Sequence, residues 1–224
     1  MIFKLIEKLL KRKQSDNFDN SYLIHLPHIA QLKLFGTKDL IRLIEKIIET
    51  GEEGDLAQVY SNHAEVIAEK RRLIKKALER REHLNILYKN CGRMSLKMIK
   101  KAINIGEHPE ILYKYVIDRT ISIHEPEKKA KLVKFILSSD ELNYSKVYLL
   151  LRMCGEKYVR HKLMLDGFTL EQEQCVNRIL PYIMVDSTLL ELYKKATKGF
   201  KRCASCLKYL RDEAEGICAW CDWK

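Results

Sequence analysis

The stretch that decides the fold is "KDLIRLIEKIIETG", residues 38–51. Its apolar residues at positions 40, 41, 44, 47 and 48 recur at the three- and four-residue spacing that places side chains on one side of an α-helix. Gly51 follows the last of them, as glycine commonly does where a helix ends. The pattern predicts an amphipathic helix with one face against a core.

The rest of the chain repeats this pattern with short breaks. A helix opened by Pro27 is expected to stop at Gly36. Residues 55–92 are expected to form one long helix, or a short helix followed by a long one capped at Ser61 or Asn62. Later helices are predicted to begin at Ser95, Pro109, Pro126, Asn143 or Ser145, Glu156, Thr169 and Ser187.

The composition agrees with a helical protein. The 224 residues include only 4 Pro and 9 Gly, and 46% of them are hydrophobic. Amphipathic helices that follow one another so closely are typical of stacked helical hairpins. We therefore predict an all-α fold, an α-solenoid-like array of stacked helical hairpins, over residues 1–199. The consensus patterns of tetratricopeptide and ankyrin repeats are not visible in it.

The first residues, "MIFKLIEKLLKRK" at 1–13, also show helical spacing. A terminal helix docked on the core is the favoured interpretation, and a membrane-surface anchor is the alternative. Charges inside the apolar run argue against a secretory signal. The sequence contains no stretch of the roughly 18 uncharged apolar residues that a membrane-spanning helix needs.

Four of the seven cysteines form two Cys-x-x-Cys pairs, Cys203/Cys206 and Cys218/Cys221. Eleven residues separate the pairs, enough for a hairpin that folds the second pair onto the first. Four thiolates are the ligand set of a structural zinc site. We therefore predict one structural Zn²⁺ in a module at residues 200–224. Two redox pairs or two disulfides are the alternative.

This zinc site is expected to be structural, because four thiolates leave no position for water or a substrate. No Cys or His lies between the pairs, which excludes the interleaved second metal of a RING domain. The remaining cysteines, Cys91, Cys154 and Cys175, lie in apolar stretches. Buried thiols of this kind are typical of a reducing compartment, so we expect a cytoplasmic protein.

Two tryptophans accompany the second cysteine pair. Trp220 lies inside it and Trp223 just after it. Each either packs on the zinc module or the last helix, or stacks on an RNA base or in a pocket of a partner protein. The spacing does not decide between these roles.

Positive charge is concentrated in residues 70–101. The chain has a formal net charge of +11, and twelve Lys/Arg against two Glu give this stretch +10. Arg72, Lys76 and Arg80 recur at four-residue spacing, where like charges repel, so we expect the fold to gain nothing from them. One-sided charge on this scale favours a phosphate-backbone partner. The predicted RNA-binding residues are Arg71, Arg72, Lys75, Lys76, Arg80, Arg81, Lys100, Lys101, Lys198, Lys201 and Arg202.

Catalysis finds no support in the sequence. It contains no glycine-rich phosphate loop, no His-Glu-x-x-His and no Gly-x-Ser-x-Gly. The seven His are dispersed along the chain. We expect a non-enzymatic protein without a small-molecule substrate, monomeric on its target.

A basic, mostly helical chain that carries Cys203, Cys206, Cys218 and Cys221 beyond its helices resembles the microsporidian ribosome dormancy (hibernation) factors that occupy the tRNA exit site. The resemblance implies binding to ribosomal RNA and ribosomal proteins, occupation of a tRNA site between the subunits and silencing of idle ribosomes. The layout of helices followed by a cysteine-rich segment also resembles the C-terminal part of vacuolar-sorting α-solenoid subunits. That second resemblance implies a scaffold subunit of a vesicle-tethering or protein-sorting complex.

Overall fold

The computed structural model describes residues 28–122, 124–167 and 173–197. Within these ranges every regular element is helical, so the all-α prediction is confirmed for the described residues. The helices are α1 (His28–Thr50), α2 (Glu53–Glu69), α3 (Arg71–Arg80), α4 (Leu84–Asn90), α5 (Leu96–Ile105), α6 (Pro109–Ile111, a π-helical segment Leu112–Ile117 and a last turn Asp118–Thr120), α7 (Pro126–Leu137), α8 (Tyr144–Cys154), α9 (Lys157–Leu165), α10 (Glu173–Ile183) and α11 (Ser187–Ala196).

The chain divides into two compact units, unit 1 at Met1–Met98 and unit 2 at Ile99–Lys224. In unit 1, α2 packs against α1, α3 and α4, and α1 packs against α3. The apolar stripe of residues 40–48 forms the α1 side of this core, since Leu40, Ile44 and Ile48 are at most 2% exposed. Burial of such side chains stabilises the unit by about 1.5–3 kcal/mol each.

Two predicted helix boundaries in unit 1 are wrong. Gly36 does not stop a helix, because α1 runs through it to Thr50. The stretch 55–92 is neither one long helix nor a pair divided at Ser61 or Asn62. It is interrupted at Lys70, which has the extended dihedrals φ −91° and ψ 101°. A second break follows α3, where Arg81 and His83 have positive φ.

These breaks have a packing reason. A straight helix of that length would carry its apolar face past the end of α1. The interruptions instead fold α3 and α4 back so that both contact α2 or α1. Helix propensity is a weak preference that tertiary contacts override, and residues at 70, 81 and 83 have no proline or glycine to signal the change.

The predicted end of α1 at Gly51 is confirmed, and the structure explains the glycine. Its N–H donates to the carbonyl oxygen of Ile47 at 2.8 Å. A Cβ atom placed on Gly51 would lie 2.7 Å from both that oxygen and the Ile47 Cγ2 atom. A larger residue would therefore force the last turn of α1 apart.

Unit 2 is organised around α8, which packs against α6, α7, α9, α10 and α11. The sequence of α8 is apolar on nearly every side, and Leu149, Leu150 and Leu151 are all fully buried. A helix that is hydrophobic all round belongs in the centre of a domain. The stacked-hairpin layout is not confirmed: within unit 2, a central helix with five neighbours differs from the neighbour-to-neighbour stacking of a solenoid.

Helix starts in unit 2 follow the sequence signals closely. Pro109 and Pro126 each occupy the first turn of a helix, as predicted. Asn143 caps α8, since its Oδ1 accepts a hydrogen bond from the N–H of Lys146 at 2.9 Å. At α11 the cap is Asp186, one residue before the predicted Ser187.

Some predictions fall outside the described residues. They are the terminal helix at 1–13, the capping box at Thr169 and the boundary between 199 and 200. Where the structure describes the chain, no helix combines the length and the apolar character needed to cross a bilayer.

Candidate nucleic-acid interface

The basic stretch 70–101 covers α3, α4 and most of α5, and it crosses the boundary between the units. Ten of its twelve cations belong to unit 1, and Lys100 and Lys101 belong to unit 2. What each cation can bind depends on its exposure and on the groups beside it.

Arg80 is bound inside unit 1. Its side chain is only 19% exposed. Nη1 donates hydrogen bonds to the carbonyl oxygens of Ile47 at 3.2 Å and Ile48 at 2.9 Å. Nη2 donates to the carbonyl oxygen of Gly51 at 2.7 Å. These carbonyls lie at the end of α1, where the helix leaves acceptors unpaired and its dipole favours positive charge, so Arg80 caps α1.

Lys76 and Arg72 pair with acidic side chains of α1. The Lys76 ammonium contacts the Glu45 carboxylate at 2.5 Å and also contacts Glu49. Arg72 Nε lies 2.5 Å from Glu45. Hydrogen bonds from Lys76 lower the pKa of the Glu49 carboxyl, and those to Glu45 and Glu49 raise the pKa of Lys76.

The expectation that the fold gains nothing from Arg72, Lys76 and Arg80 is therefore wrong. Residues four apart on an α-helix are offset by about 40°, so the three side chains drift towards the buried face of α3. Their exposed fractions fall accordingly, from 75% at Arg72 to 24% at Lys76 and 19% at Arg80. A helical wheel gives this drift, but it does not reveal that Glu45, Glu49 and the end of α1 lie opposite.

Six other cations of unit 1 are exposed and have no carboxylate partner among the described residues. They are Lys70, Arg71, Arg81, Lys89, Arg93 and Lys97. Lys75 is also exposed, at 60%, although Glu79 lies 3.8 Å away. We call these seven residues the exposed basic set. They include Arg71, Lys75 and Arg81 from the predicted RNA-binding residues, and sequence reasoning did not select the other four.

The remaining predicted contacts lie elsewhere. Lys100 and Lys101 are half-buried in unit 2, and the Lys100 ammonium sits 4.9 Å from the centre of the Phe135 ring. Lys198, Lys201 and Arg202 lie outside the described residues.

The predicted zinc ligands Cys203, Cys206, Cys218 and Cys221 also lie outside the described residues, so the zinc site stays a prediction. In the described ranges, His, Cys, Asp and Glu side chains form no group that could hold a metal ion. Cys91 and Cys154 are buried thiols that form no disulfide with a described residue, as expected.

A buried polar cluster in unit 2 was not found by sequence reasoning. Lys129 of α7 is 5% exposed and donates to Glu156 at 2.8 and 2.9 Å and to Asp118 at 3.1 Å. The hydroxyl of Tyr113, in the π-helical segment of α6, also donates to Glu156. Burial raises the pKa of the Glu156 carboxyl to about 7, and the charge of Lys195 acts in the opposite direction.

This cluster joins α6, α7 and the start of α9; Lys129 lies in the buried face of α7, while the Asp118 side chain is 58% exposed. Perturbed carboxyl groups occur at active sites, but also in structural ion pairs. Here every polar group faces another member of the cluster, which favours the structural role. The periodicity of α7 places Lys129 beside Ala130 and Val133 in the buried face. This pattern is the sequence signal from which a buried lysine could have been predicted.

Two further arginines cap helix ends in unit 2, as Arg80 does in unit 1. Arg178 donates to the carbonyl oxygens of Leu137 at 3.2 Å and Asp140 at 3.3 Å, at the end of α7. Arg160 donates to the carbonyl oxygen of Lys195 at 3.1 Å, at the end of α11. Part of the positive charge of the chain is thus used within the fold.

The described part of the chain is all-α, and unit 1 carries the exposed basic set. Comparison with protein-family profiles, with curated proteins and with solved structures finds no significant match for the chain.

Proposed function

We propose that the protein binds ribosomal RNA without catalysing a reaction, and that it silences idle ribosomes by occupying a tRNA site between the subunits. The observation that carries the RNA-binding part is the exposed basic set on unit 1, in which six of seven cations have no carboxylate partner among the described residues. Ribosomal RNA and ribosomal proteins are its expected partners, as the resemblance to the dormancy factors implies.

Exposed cations without partners repel one another, so they cost stability unless an anion binds. A phosphate backbone supplies such anions at regular spacing, and release of its counterions favours binding. Arg80 and Lys76 already bind groups of α1 or next to it. To bind a phosphate instead, they would have to give up these contacts between α1 and α3. We therefore assign RNA binding to Arg71, Arg81, Arg93 and Lys97, together with their exposed neighbours.

Phosphate contacts position a protein and carry little sequence information. The proposed location on the ribosome therefore rests on the resemblance, with the predicted zinc module as a rigid second contact. Lys198, Lys201, Arg202, Trp220 and Trp223 are the residues that this module and its flank would offer to RNA.

Co-sedimentation with ribosomes tests the proposal. The full-length protein should pellet with ribosomes at low salt and be released as salt rises. The triple variant R71Q/R93Q/K97Q should lose most of this binding. The control K38Q/K46Q/K131Q removes the same charge from exposed, unpaired positions outside the stretch and should bind like the wild type. Equal loss in both variants would contradict a localised interface.

Occupancy of a tRNA site needs its own measurement. Deacylated tRNA added to saturating concentration should displace the protein from vacant ribosomes. A protein that stays bound while tRNA fills all its sites would refute that part of the proposal and leave the RNA-binding part intact.

One observation favours a second candidate, a scaffold subunit of a vesicle-tethering or protein-sorting complex. Unit 2 exposes large apolar side chains, among them Leu165 at 70% and Val185 at 86%. Large exposed apolar groups occur at protein–protein interfaces. Recovery of the native protein with endosomal or vacuolar membranes, and not with ribosomes, would favour this candidate.

A further inference from the structure

A second group of exposed cations lies in unit 2, around the ring of Tyr115 in the π-helical segment of α6. The guanidinium carbon of Arg119 lies 4.8 Å from the ring centre, and the ammonium of Lys114 lies 5.3 Å from it. Both cations are exposed, and Tyr115 is half-buried. The three residues are called the Tyr115 cluster below.

The Tyr115 cluster differs from the other cation–aromatic group of α6. Two cations lie over the Tyr113 ring: Lys129, which is buried and whose charge is met by Asp118 and Glu156, and the exposed Arg152, 5.2 Å from the ring centre. Lys114 and Arg119 have no carboxylate partner among the described residues. Asp118 precedes Arg119 in sequence, and its carboxylate contacts Lys129 at 3.1 Å.

The Tyr115 ring attracts both cations. A cation over an aromatic face is attracted by the ring quadrupole, by about 0.5–1 kcal/mol at an exposed site. A guanidinium held flat against a ring keeps the donors at its edge free, and these match the oxygens of a phosphate. Aromatic rings and guanidinium groups are also surfaces on which nucleobases stack.

The backbone supports a role beyond packing. Residues Leu112–Ile117 form a π-helical segment inside α6, with the helix continuing on both sides. π-Helical turns of this kind are found frequently at functional sites. The π-helical segment carries residues of two groups. Tyr113 belongs to the cluster of Lys129 and Glu156, and Tyr115 lies half-exposed beside its two cations.

We propose that the Tyr115 cluster is a second RNA-contact site, in which Lys114 and Arg119 bind phosphates of a single-stranded segment and a base stacks beside Tyr115. The site rests on the proposed RNA-binding function, and it adds the kind of RNA bound. Unstacked bases occur in loops and single strands, while the exposed basic set of unit 1 binds any phosphate backbone. The protein should therefore prefer RNA that has a single-stranded part.

Fluorescence anisotropy with a labelled oligouridylate of roughly 12 nucleotides, a length typical of single-strand sites, tests the proposal on the full chain. The logarithm of the binding constant is measured against the logarithm of the salt concentration. Each phosphate contact to a single strand contributes a slope of about −0.7. K114Q/R119Q should therefore reduce the slope by about 1.4. The control K131Q/K157Q removes two exposed, unpaired charges of unit 2 and should leave the slope unchanged.

The ring is tested separately. Tyr115→Leu should weaken oligouridylate binding about tenfold, because base–aromatic stacking is worth about 1–3 kcal/mol. Tyr115→Phe keeps the ring and should bind like the wild type. Circular dichroism of each variant shows whether α6 remains folded. A folded Tyr115→Leu variant with unchanged affinity would refute the stacking role.

The outcomes separate this site from the function on which it rests. If the wild type binds oligouridylate and K114Q/R119Q has the slope of its control, the Tyr115 cluster is not a contact site and RNA binding stands. If the wild type binds neither oligouridylate nor ribosomes, both proposals are wrong. Equal affinity for polyglutamate, lost in the same variants, would show a site for any polyanion and would overturn the assignment to RNA.

Discussion

The guanidinium of Arg80 donates a hydrogen bond to the carbonyl oxygen of Ile48 over 2.9 Å, so a cation expected to face RNA caps a helix of its own unit. The bond joins residues 32 positions apart in sequence. The cations of residues 70–101 therefore have two different roles. Some cations bind helix ends and acidic side chains, and others are exposed with no carboxylate partner among the described residues.

Arg80→Ala should destabilise unit 1. Three carbonyl oxygens at the end of α1 lose a charged donor, and we expect the free energy of unfolding to fall by about 2–3 kcal/mol. Arg71→Ala, at an exposed position of the same helix, should change it by less than about 0.5 kcal/mol. Urea unfolding followed by circular dichroism measures both. Coincident midpoints for the two variants would show that the contacts of Arg80 contribute nothing.

The contact between Lys76 and Glu49 should make stability depend on pH. The pKa of Glu49 is lowered from 4.5, so its stabilising effect is present above pH 4.5 and is lost as the pH falls through the lowered value. The pKa of Lys76 is raised above 10.5, so its part is lost only at strongly alkaline pH. The difference in unfolding midpoint between wild type and E49Q should be constant near neutrality and shrink in acid.

A matched comparison for that experiment is E69Q. Glu69 is exposed at the end of α2 and has no ion pair among the described residues. Its replacement removes a carboxylate without breaking an ion pair between helices, so E69Q should not reproduce the pH profile of E49Q. If E49Q and E69Q followed the same pH profile, the ion pair between α1 and α3 would not contribute to stability in solution.

Lys129→Met should be among the most destabilising substitutions in unit 2. It leaves the Glu156 carboxylate without the ammonium that faces it, and breaking a buried ion pair from one side costs about 3 kcal/mol or more. The double variant K129M/E156Q also removes the charge of the Glu156 carboxylate, so it should recover part of the lost free energy of unfolding. Lys131→Met, at an exposed position of α7, is the control. A double variant no more stable than K129M would contradict the ion-pair explanation.

The full-length protein should contain about one zinc ion per chain, as four thiolates bind a single metal. Mass spectrometry of the purified protein measures the metal content. C203S/C206S should lose the zinc, because half of the ligands are removed. C91A alters a buried thiol of unit 1 and should retain it. A metal-free wild type purified without chelator would refute the site.

Helix type and several helix starts were predictable because their causes are local. Pro109 and Pro126 lack an N–H that the first turn does not need, and Asn143 supplies an acceptor to the turn that follows it. The breaks at Lys70 and Arg81 were not predictable in this way. Their sequence continues a helical pattern, and the chain turns there because α3 and α4 gain contacts with α1 and α2.

The candidate interface shows the same division. Its total charge and place in the chain can be counted from the sequence, and so can the spacing that brings Arg72, Lys76 and Arg80 progressively towards the core. The sequence does not show which cations lack a carboxylate partner among the described residues. Arg80 pairs with the neighbouring Glu82, but the α1 groups that bind Lys76 and Arg80 lie about 30 residues earlier in the chain.

The sequence by itself determined the all-α class of the described residues, because apolar periodicity and capping are properties of neighbouring residues. It also determined where positive charge is concentrated. Only the tertiary structure decided which of these charges stabilise the fold and which are exposed to a partner. The physical reason is that a charge is neutralised by whatever packing brings within about 4 Å of it, and such groups are distant in sequence. Lys129 and Glu156, which are 27 residues apart and in contact, illustrate this in unit 2.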